Sequence, residues 1–222
     1  MVMDEAGLLR HVDHTCLSVD ATWEQIKTLC REGLAFGVAS VCIPPAFVKQ
    51  AADYVAGKLP VCTVIGFPNG YQTTEAKVFE ARDAVANGAS ELDMVIPVGL
   101  VKEGAFQRVQ EEIAQVKAAC EGRILKVIIE ACLLTEAEKI RMCQVVTEAG
   151  ADYIKTSTGF GSGGASEEDV ALFARKVGPG VKIKAAGGIR TVEAGLAFLR
   201  LGACRIGSSG IVKQIQEREE AR

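Results

Sequence analysis

The 222-residue sequence predicts a single α/β domain over residues 1–222, folded as a (β/α)8 TIM barrel. Eight short apolar segments recur at intervals of roughly 20–35 residues, about the length of one strand–loop–helix unit. They are rich in Val, Ile and Cys without strict alternation, as in strands that are buried on both faces. An open doubly wound sheet is the alternative, but the first predicted strand lacks the glycine-rich turn of a dinucleotide site.

The predicted elements alternate along the whole chain. The eight predicted strands are residues 11–17, 38–43, 61–67, 91–97, 124–131, 152–156, 181–187 and 203–209. Three of the intervening helices carry both a capping pair at the start and a glycine at the end. The capping pairs are Thr22 with Gln25, Thr135 with Glu138, and Ser166 with Asp169. The glycines predicted to end these three helices are Gly33, Gly150 and Gly178, respectively.

Composition narrows the class of protein. Apolar residues make up 49% and charged residues 24%, which is typical of a globular domain. A net charge of -3 without a long Lys/Arg run argues against a nucleic-acid partner. No apolar segment approaches the about 18 residues of a membrane span, and no leader pattern opens the chain, so we expect a cytoplasmic protein without membrane contact. The eight cysteines form no CxxC pair and are expected to be free thiols.

Two lysines end neighbouring predicted strands, where a barrel carries its chemistry. Lys155 ends the sixth and Lys184 the seventh. Two ammonium groups on adjacent strands repel each other, and repulsion and burial both lower the pKa of a lysine. Only a neutral amine attacks a carbonyl, so the pair is suited to Schiff-base chemistry. The alternative is that one lysine pairs with a barrel carboxylate and the other binds an anion.

Acidic residues inside the predicted strands need partners. Asp93 lies within the fourth predicted strand, where a charged residue is rarely buried alone. It either pairs with Lys184 and relays protons or forms a purely structural salt bridge. Asp13 on the first strand carries the same two interpretations, and Glu130, late on the fifth, stays unassigned.

Glycines and serines after the last three strands predict an anion site. The segments 185–190 and 205–210 follow the seventh and eighth strands and lead into helices. These loops form the usual phosphate site of the architecture, because helix N-termini attract anions and glycines let a phosphate approach. The alternative for the two serines is plain helix capping. The predicted phosphate ligands are Gly159, Gly187, Gly188, Ser208 and Ser209.

The remaining candidates, His11, His14 and Cys42, are expected to have structural and not catalytic or metal-binding roles. His11 and His14 flank Asp13, but no third residue of a metal-binding type accompanies them. We therefore expect no metal. Cys42, at the end of the second predicted strand, is expected to pack in the core.

Seven segments taken in order resemble the deoxyribose-phosphate aldolase family, the DeoC type of class I aldolase, over nearly the whole chain. They are DHTCL, VCIPPAFV, GFPNGYQTTEAKVFEARDAVANGASELDMVIPVG, LKVIIEACLLT, DYIKTSTGFGSGGAS, VKIKAAGGIRT and RIGSSGIVK. The resemblance implies reversible cleavage of 2-deoxy-D-ribose 5-phosphate to D-glyceraldehyde 3-phosphate and acetaldehyde, in deoxyribonucleotide catabolism. It also implies no metal or organic cofactor and a homodimer or homotetramer.

The resemblance implies a role for each site residue. Lys155 would form the Schiff base. Lys184 would lower the pKa of Lys155 and take part in proton transfer. Asp93 would join that relay through water, supported by Asp13, and the predicted phosphate ligands would hold the phosphate. Phe160 stands where some relatives place a lysine, which bears on phosphate affinity.

Two other functions stay open on the sequence. One is a different lysine aldolase or a transaldolase on the same barrel. The other is a barrel that binds a phosphorylated metabolite without turning it over.

Overall fold

The eight predicted strands form a closed parallel barrel in which each strand pairs with its neighbours in chain order, and the last pairs with the first. The computed structural model describes residues 5–220, so both ends of the predicted 1–222 domain lie outside the described residues. The strands are β1 Val12–Thr15, β2 Ser40–Ile43, β3 Val61–Ile65, β4 Glu91–Val95, β5 Ile124–Ile128, β6 Tyr153–Lys155, β7 Lys182–Ala186 and β8 Arg205–Ser208. The predicted (β/α)8 barrel is thereby confirmed.

Helices precede, connect and follow the strands of the barrel. They are α1 Glu5–Leu9, α2 Trp23–Phe36, α3 Val48–Val55, α4 Thr74–Ala86, α5 Val98–Lys102, α6 Phe106–Ala119, α7 Glu136–Glu148, α8 Glu167–Lys176, α9 Val192–Arg200 and α10 Ile211–Glu220. Short 3₁₀ helices at Pro45–Phe47 and Ala131–Leu133 follow β2 and β5. None of the described helices combines the length and apolar character needed to cross a bilayer.

The predicted helix starts are confirmed. In the capping box of α2 the Thr22 backbone N–H donates to Gln25 Oε1 at 2.8 Å, and Thr135 and Glu138 form the equivalent box at α7. Ser166 Oγ accepts from the Asp169 backbone N–H at the start of α8. Each contact satisfies N–H groups that the first helical turn leaves unpaired, which is why these residues fix the starts.

The predicted end of α2 at Gly33 is wrong. The helix continues to Phe36 and is closed by Gly37, whose φ of 63° is left-handed. Gly33 lies instead on the face that packs against the barrel, where a Cβ would be 2.8 Å from Leu59 Cδ2 and 3.0 Å from Val41 Cγ1. This glycine therefore serves close helix–strand packing, which the sequence pattern does not distinguish from a helix end.

The C-terminal segment, for which the sequence left a helix end or a frayed tail open, is helical as far as Glu220 in α10. Arg218 anchors it by ion pairs to Glu5 and Glu193 at 2.8 and 2.7 Å. Residues 221 and 222 lie outside the described residues.

A buried ion pair fixes the loop after β3. Lys77 on α4 is fully buried, and its Nζ donates to Glu112 Oε1 at 2.6 Å and to the carbonyls of Gly70 and Val95 at 2.6 and 2.9 Å. These contacts satisfy all three donors of the ammonium group, as burial of a charge requires. The loop that borders the mouth of the barrel is therefore tied to β4 and α6.

Candidate active site

A cavity of about 420 Å3 opens at the carboxyl ends of the strands. Its wall brings together the predicted nucleophile and the five predicted phosphate ligands, Lys155, Gly159, Gly187, Gly188, Ser208 and Ser209. Asp93, Lys184 and Asp13 are fully buried inside the barrel. The residues predicted from separate motifs thus converge on one end of the barrel, on the side where this architecture carries chemistry.

The two predicted lysines share one carboxylate oxygen. Lys155 and Lys184 are paired neighbours on β6 and β7. Asp93 Oδ2 accepts from Lys155 Nζ at 2.7 Å and from Lys184 Nζ at 2.6 Å. The ammonium groups are adjacent as expected, but a common anion stands between them, so attraction to Asp93 offsets their mutual repulsion.

Asp13 supports this arrangement from β1. Its Oδ2 lies 2.5 Å from Lys184 Nζ, and its Oδ1 accepts from Ser40 Oγ at 2.6 Å. Lys184 is therefore held between two carboxylates, whereas Lys155 is paired with Asp93 alone among the described residues.

Three further charged residues lie in the barrel interior, and the sequence analysis did not identify them. Lys126 on β5 lies 2.6 Å from Glu91 Oε2 and 2.8 Å from Asp93 Oδ1. Arg205 on β8 bridges Glu91 and Asp13 at 2.8 and 2.6 Å. The signal was available, because each is a charged residue inside an otherwise apolar strand, as Asp93 is.

The interior network carries one more cation than anions. Among the described residues it consists of Lys126, Lys155, Lys184 and Arg205 against Asp13, Glu91 and Asp93. An unbalanced charge is costly in a buried site, so the network favours loss of one proton. Lys155 has the fewest carboxylate partners of the three lysines and lies at the cavity wall. It is therefore the lysine of the network that has the least carboxylate compensation and that borders the cavity.

The surrounding charges keep the other members ionised. Burial alone would raise the pKa of Asp93, but Lys126, Lys155 and Lys184 hold it well below its ordinary value. Burial would lower the pKa of Lys184, yet Asp13 and Asp93 raise it above its ordinary value. The pKa of Lys126 is raised in the same way, chiefly by Asp93 against burial. Around neutral pH a fixed cation thus lies beside Lys155.

The backbone conformation of the loop after β7 requires a glycine at its first position, Gly187. Gly187 has a φ of 92°, in the left-handed region that favours glycine. A Cβ at this position would lie 2.9 Å from Gly164 Cα and 3.2 Å from Ser157 Cβ. Any side chain at position 187 would therefore push the β7 loop away from the β6 loop and change the shape of the cavity.

The two serines after β8 differ in their contacts. Ser208 Oγ donates to the Ile189 carbonyl at 2.8 Å and accepts from the backbone N–H groups of Gly210 and Ile211, both at 3.1 Å. Its hydroxyl therefore caps α10, which favours the capping interpretation of this side chain, and the role of Ser208 as a phosphate ligand stays a prediction. Ser209 is exposed at the cavity wall.

Glu130, left unassigned by the sequence, shapes the β6 loop. Its carboxylate accepts from Thr158 Oγ1 at 2.5 Å and from the Thr158 backbone N–H at 3.3 Å. Thr158 lines the cavity beside Gly159. Glu130 thus positions the loop that follows Lys155.

Phe160 and Arg190 are also part of the cavity wall. Phe160 is half exposed and packs edge-to-face on Phe67, with ring centroids 5.3 Å apart. Arg190, which sequence reasoning missed, is exposed and follows the β7 glycines. The β7 loop therefore brings a guanidinium to a cavity in which position 160 supplies no cation.

Among residues 5–220, two groups of buried donors have the spacing of metal ligands, namely Cys42–Cys62–Asp93 and Asp13–Cys62–Glu91. Their carboxylates already form ion pairs with the lysines and arginine of the interior network. His11 and His14 bond to the Cys204 carbonyl and to Glu32 respectively. Ion pairs explain these clusters, and the absence of a metal stays a prediction. The eight cysteines are free thiols, as expected.

Comparison with known proteins agrees with this geometry. The model of the DeoC/LacD family of aldolases matches residues 8–212. Deoxyribose-phosphate aldolase of Streptococcus pyogenes is 56% identical over 214 residues, covering 96% of each chain. The Streptococcus agalactiae enzyme of the same name is 55% identical over 217 residues, covering 98% of this chain and 97% of its own.

Solved structures give the same result. The tetrameric deoxyribose phosphate aldolase from Aeropyrum pernix superposes with a TM-score of 0.87 at 30% identity, covering 99% of this chain and 94% of its own. Family match, sequence identity and fold agree over nearly the full length. The chain belongs to the DeoC/LacD family of aldolases.

Proposed function

We propose that the protein is a class I aldolase that reversibly cleaves 2-deoxy-D-ribose 5-phosphate to D-glyceraldehyde 3-phosphate and acetaldehyde, with Lys155 as the Schiff-base nucleophile. The observation that carries the proposal is Lys155 at the wall of the cavity, paired with a single carboxylate inside a network that has one excess cation. The identity to deoxyribose-phosphate aldolases over nearly the whole chain supports the substrate. This substrate assigns the enzyme to deoxyribonucleotide catabolism.

The first steps of the reaction need a neutral amine beside a fixed cation. Lys155 Nζ attacks C1 of the open-chain sugar phosphate, and loss of water gives the iminium. The C3 hydroxyl then loses its proton, the C2–C3 bond breaks, and the bonding electrons move into the iminium. D-glyceraldehyde 3-phosphate leaves, and an enamine of acetaldehyde remains on Lys155.

The remaining steps move protons. The enamine is protonated at C2, and water hydrolyses the resulting iminium to release acetaldehyde and free Lys155. Asp93 Oδ2 contacts both Lys155 Nζ and Lys184 Nζ, so these three groups, together with water, are suited to carry the protons. Glu130 is a poorer candidate for the relay, because its carboxylate is engaged by Thr158.

We assign the phosphate to the side of the cavity formed by the loops after β7 and β8. Gly187 and Gly188 line the cavity there, and the α9 helix begins just beyond them. Helix N-termini and glycine turns attract anions. The Arg190 guanidinium adds the positive charge that Phe160 does not supply.

The proposed function is tested by incubating the purified protein with 2-deoxy-D-ribose 5-phosphate and measuring the acetaldehyde formed with an alcohol dehydrogenase. Substrates of other lysine aldolases and of transaldolase form the comparison panel. Turnover of 2-deoxy-D-ribose 5-phosphate with acetaldehyde as product supports the proposal. Turnover confined to another phosphosugar would replace it with the alternative aldolase, and binding without turnover would replace it with a binding protein.

Replacing Arg190 by glutamine is expected to raise KM for 2-deoxy-D-ribose 5-phosphate by about tenfold while kcat changes little. A hydrogen bond to a charged group contributes about 1.5–3 kcal/mol, and about 1.4 kcal/mol corresponds to tenfold in affinity. Steady-state kinetics with the phosphorylated sugar and with 2-deoxy-D-ribose provide the measurement, because only the former should respond. Arg200→Gln, at the far end of α9, is the matched control. Equal effects on both sugars would argue against a phosphate contact.

A further inference from the structure

The two carboxylate oxygens of Asp93 have different partners. Oδ2 accepts from the two lysines at the active site, Lys155 and Lys184. Oδ1 accepts from Lys126 Nζ at 2.8 Å and from Cys62 Sγ at 3.2 Å. Because both oxygens are engaged, rotation of the carboxylate would break contacts on both sides. Lys126 therefore provides the charged contact that holds Oδ2 toward the two amines.

Lys126 lies deeper in the barrel than the reacting amine. The pairing of β4 with β5 places Asp93 directly beside Lys126, whereas Lys155 pairs with Ile128, two residues later on β5. Lys126 is fully buried and is not among the described residues that line the cavity. Any effect of Lys126 on the reaction must therefore pass through the residues that it contacts.

Lys126 is itself held in place by Glu91 and Arg205. Glu91 lies two residues before Asp93 on β4, and side chains two residues apart on a strand lie on the same face. Glu91 Oε2 lies 2.6 Å from Lys126 Nζ. Two nitrogens of the Arg205 guanidinium donate to the two Glu91 oxygens at 2.8 and 3.2 Å, a paired contact that fixes the orientation of a carboxylate. The position of Lys126 beside Asp93 is thus defined by an ordered series of charged contacts.

We propose that Lys126 is a positioning residue of the enzyme, which orients the Asp93 carboxylate so that Oδ2 exchanges protons with Lys155 and Lys184. The inference rests on the proposed function, because it uses the proton relay of the Schiff-base reaction. Lys126 itself gains and loses no proton in the cycle, and no covalent bond to it forms or breaks. Removal of Lys126 should therefore slow the proton transfers and leave the binding of the sugar phosphate almost unchanged.

The charge of Asp93 also depends on Lys126. Asp93 is faced by the cations Lys126, Lys155 and Lys184, by the carboxylate of Asp13 and by the thiols of Cys42 and Cys62. Burial would raise the pKa of Asp93, and Lys126 contributes most among the cations that hold it well below its ordinary value. Without Lys126 the pKa of Asp93 rises, so the carboxylate takes up a proton at a higher pH. The acidic limb of the pH profile of kcat should then move to higher pH.

The first test is the Lys126→Met variant, with kcat and KM measured for 2-deoxy-D-ribose 5-phosphate over a range of pH. We expect kcat to fall by about 10²-fold with little change in KM, since a misplacement of about 1 Å costs about that much in rate. Each carboxylate of the interior network keeps a cation, so the variant should fold. Lys126→Gln, which can still donate to Asp93, is the second variant and should lose less. Lys139→Met removes a mostly buried ion pair to Asp169 between α7 and α8 and, as the matched control, should keep kcat.

The second test combines Lys126→Met with Asp93→Asn. If Lys126 acts through Asp93, its removal from the Asp93→Asn protein should change kcat by less than about threefold, because residues that act as one unit have non-additive effects. A further loss of about 10²-fold in the double variant would overturn the inference. An unchanged kcat or an unmoved acidic limb in Lys126→Met, with normal turnover by the unmodified protein, would also overturn the inference alone. Failure of the unmodified protein to turn over 2-deoxy-D-ribose 5-phosphate would overturn the proposed function as well.

Discussion

Replacing Lys155 by methionine is expected to lower kcat/KM for 2-deoxy-D-ribose 5-phosphate by about 10⁴-fold or more. Methionine keeps an unbranched chain but has no nitrogen to form the iminium, and removal of a covalent nucleophile typically costs this much or more. The same change removes the excess cation of the interior network, which then holds three cations and three carboxylates. The free energy of unfolding should therefore be unchanged or higher.

The measurement is steady-state kinetics combined with urea unfolding of the same preparation. Lys182→Met is the matched control, since Lys182 lies on the same sheet at the exposed start of β7. It should retain near-normal turnover. A Lys155→Met protein that keeps more than a few per cent of activity would contradict the assignment of the nucleophile, and a strongly destabilised one would contradict the charge balance.

Replacing Asp93 by asparagine is expected to lower kcat by about 10³-fold, within the range of about 10²–10⁴ for proton transfer. The amide keeps the size of the side chain but cannot be the anion that Lys126, Lys155 and Lys184 share. Four cations then face two carboxylates, and loss of one partner from a buried ionic network costs about 3–5 kcal/mol of stability. Activity and stability should both fall, in contrast to Lys155→Met.

Kinetics at a temperature where circular dichroism shows the variant to be folded separate the two effects. Asp93→Leu removes hydrogen bonding as well as charge and should be at least as inactive. Glu130→Gln tests the competing relay, and its kcat should fall by much less because Glu130 bonds to the β6 loop. Unchanged turnover in Asp93→Leu would exclude a relay role for Asp93.

The order and positions of the eight strands could be predicted because a parallel barrel buries its strands on both faces. Apolar runs such as residues 61–67 and 124–131 therefore stand out against the amphipathic helices. Helix ends were less predictable. Gly33 has the sequence context of a helix end, but its role is contact with Leu59, which lies in the next βα unit and is not visible in local sequence.

The residues of the candidate site also fall into those that local sequence predicts and those whose contacts it does not predict. Lys155, Lys184 and the glycine loops were accessible to prediction, because strand ends and helix starts are local features. Lys126 and Arg205 also stand out as charges within apolar strands, but their partners could not be predicted, because these lie 33 or more positions away along the chain. Which charges face each other inside a closed barrel depends on strand register, and register follows from the stagger of the whole sheet.

The interior network also changes the interpretation of Lys184. The sequence predicts a second cation that repels Lys155, whereas the structure places Asp93 between the two amines. The electrostatic environment of Lys155 therefore depends on the whole network and not on one pair of lysines. Lys126 and Arg205 are part of that environment, because both form ion pairs with Glu91 inside the barrel.

The most direct measurement is reduction with borohydride in the presence of acetaldehyde, followed by mass mapping of the peptides. If Lys155 is the nucleophile, an ethyl group should be found on Lys155 and on no other lysine, and the Lys155→Met protein should carry none. An ethyl group on Lys184 would exchange the roles of the two lysines. No adduct on either lysine of the folded protein would contradict the Schiff-base mechanism.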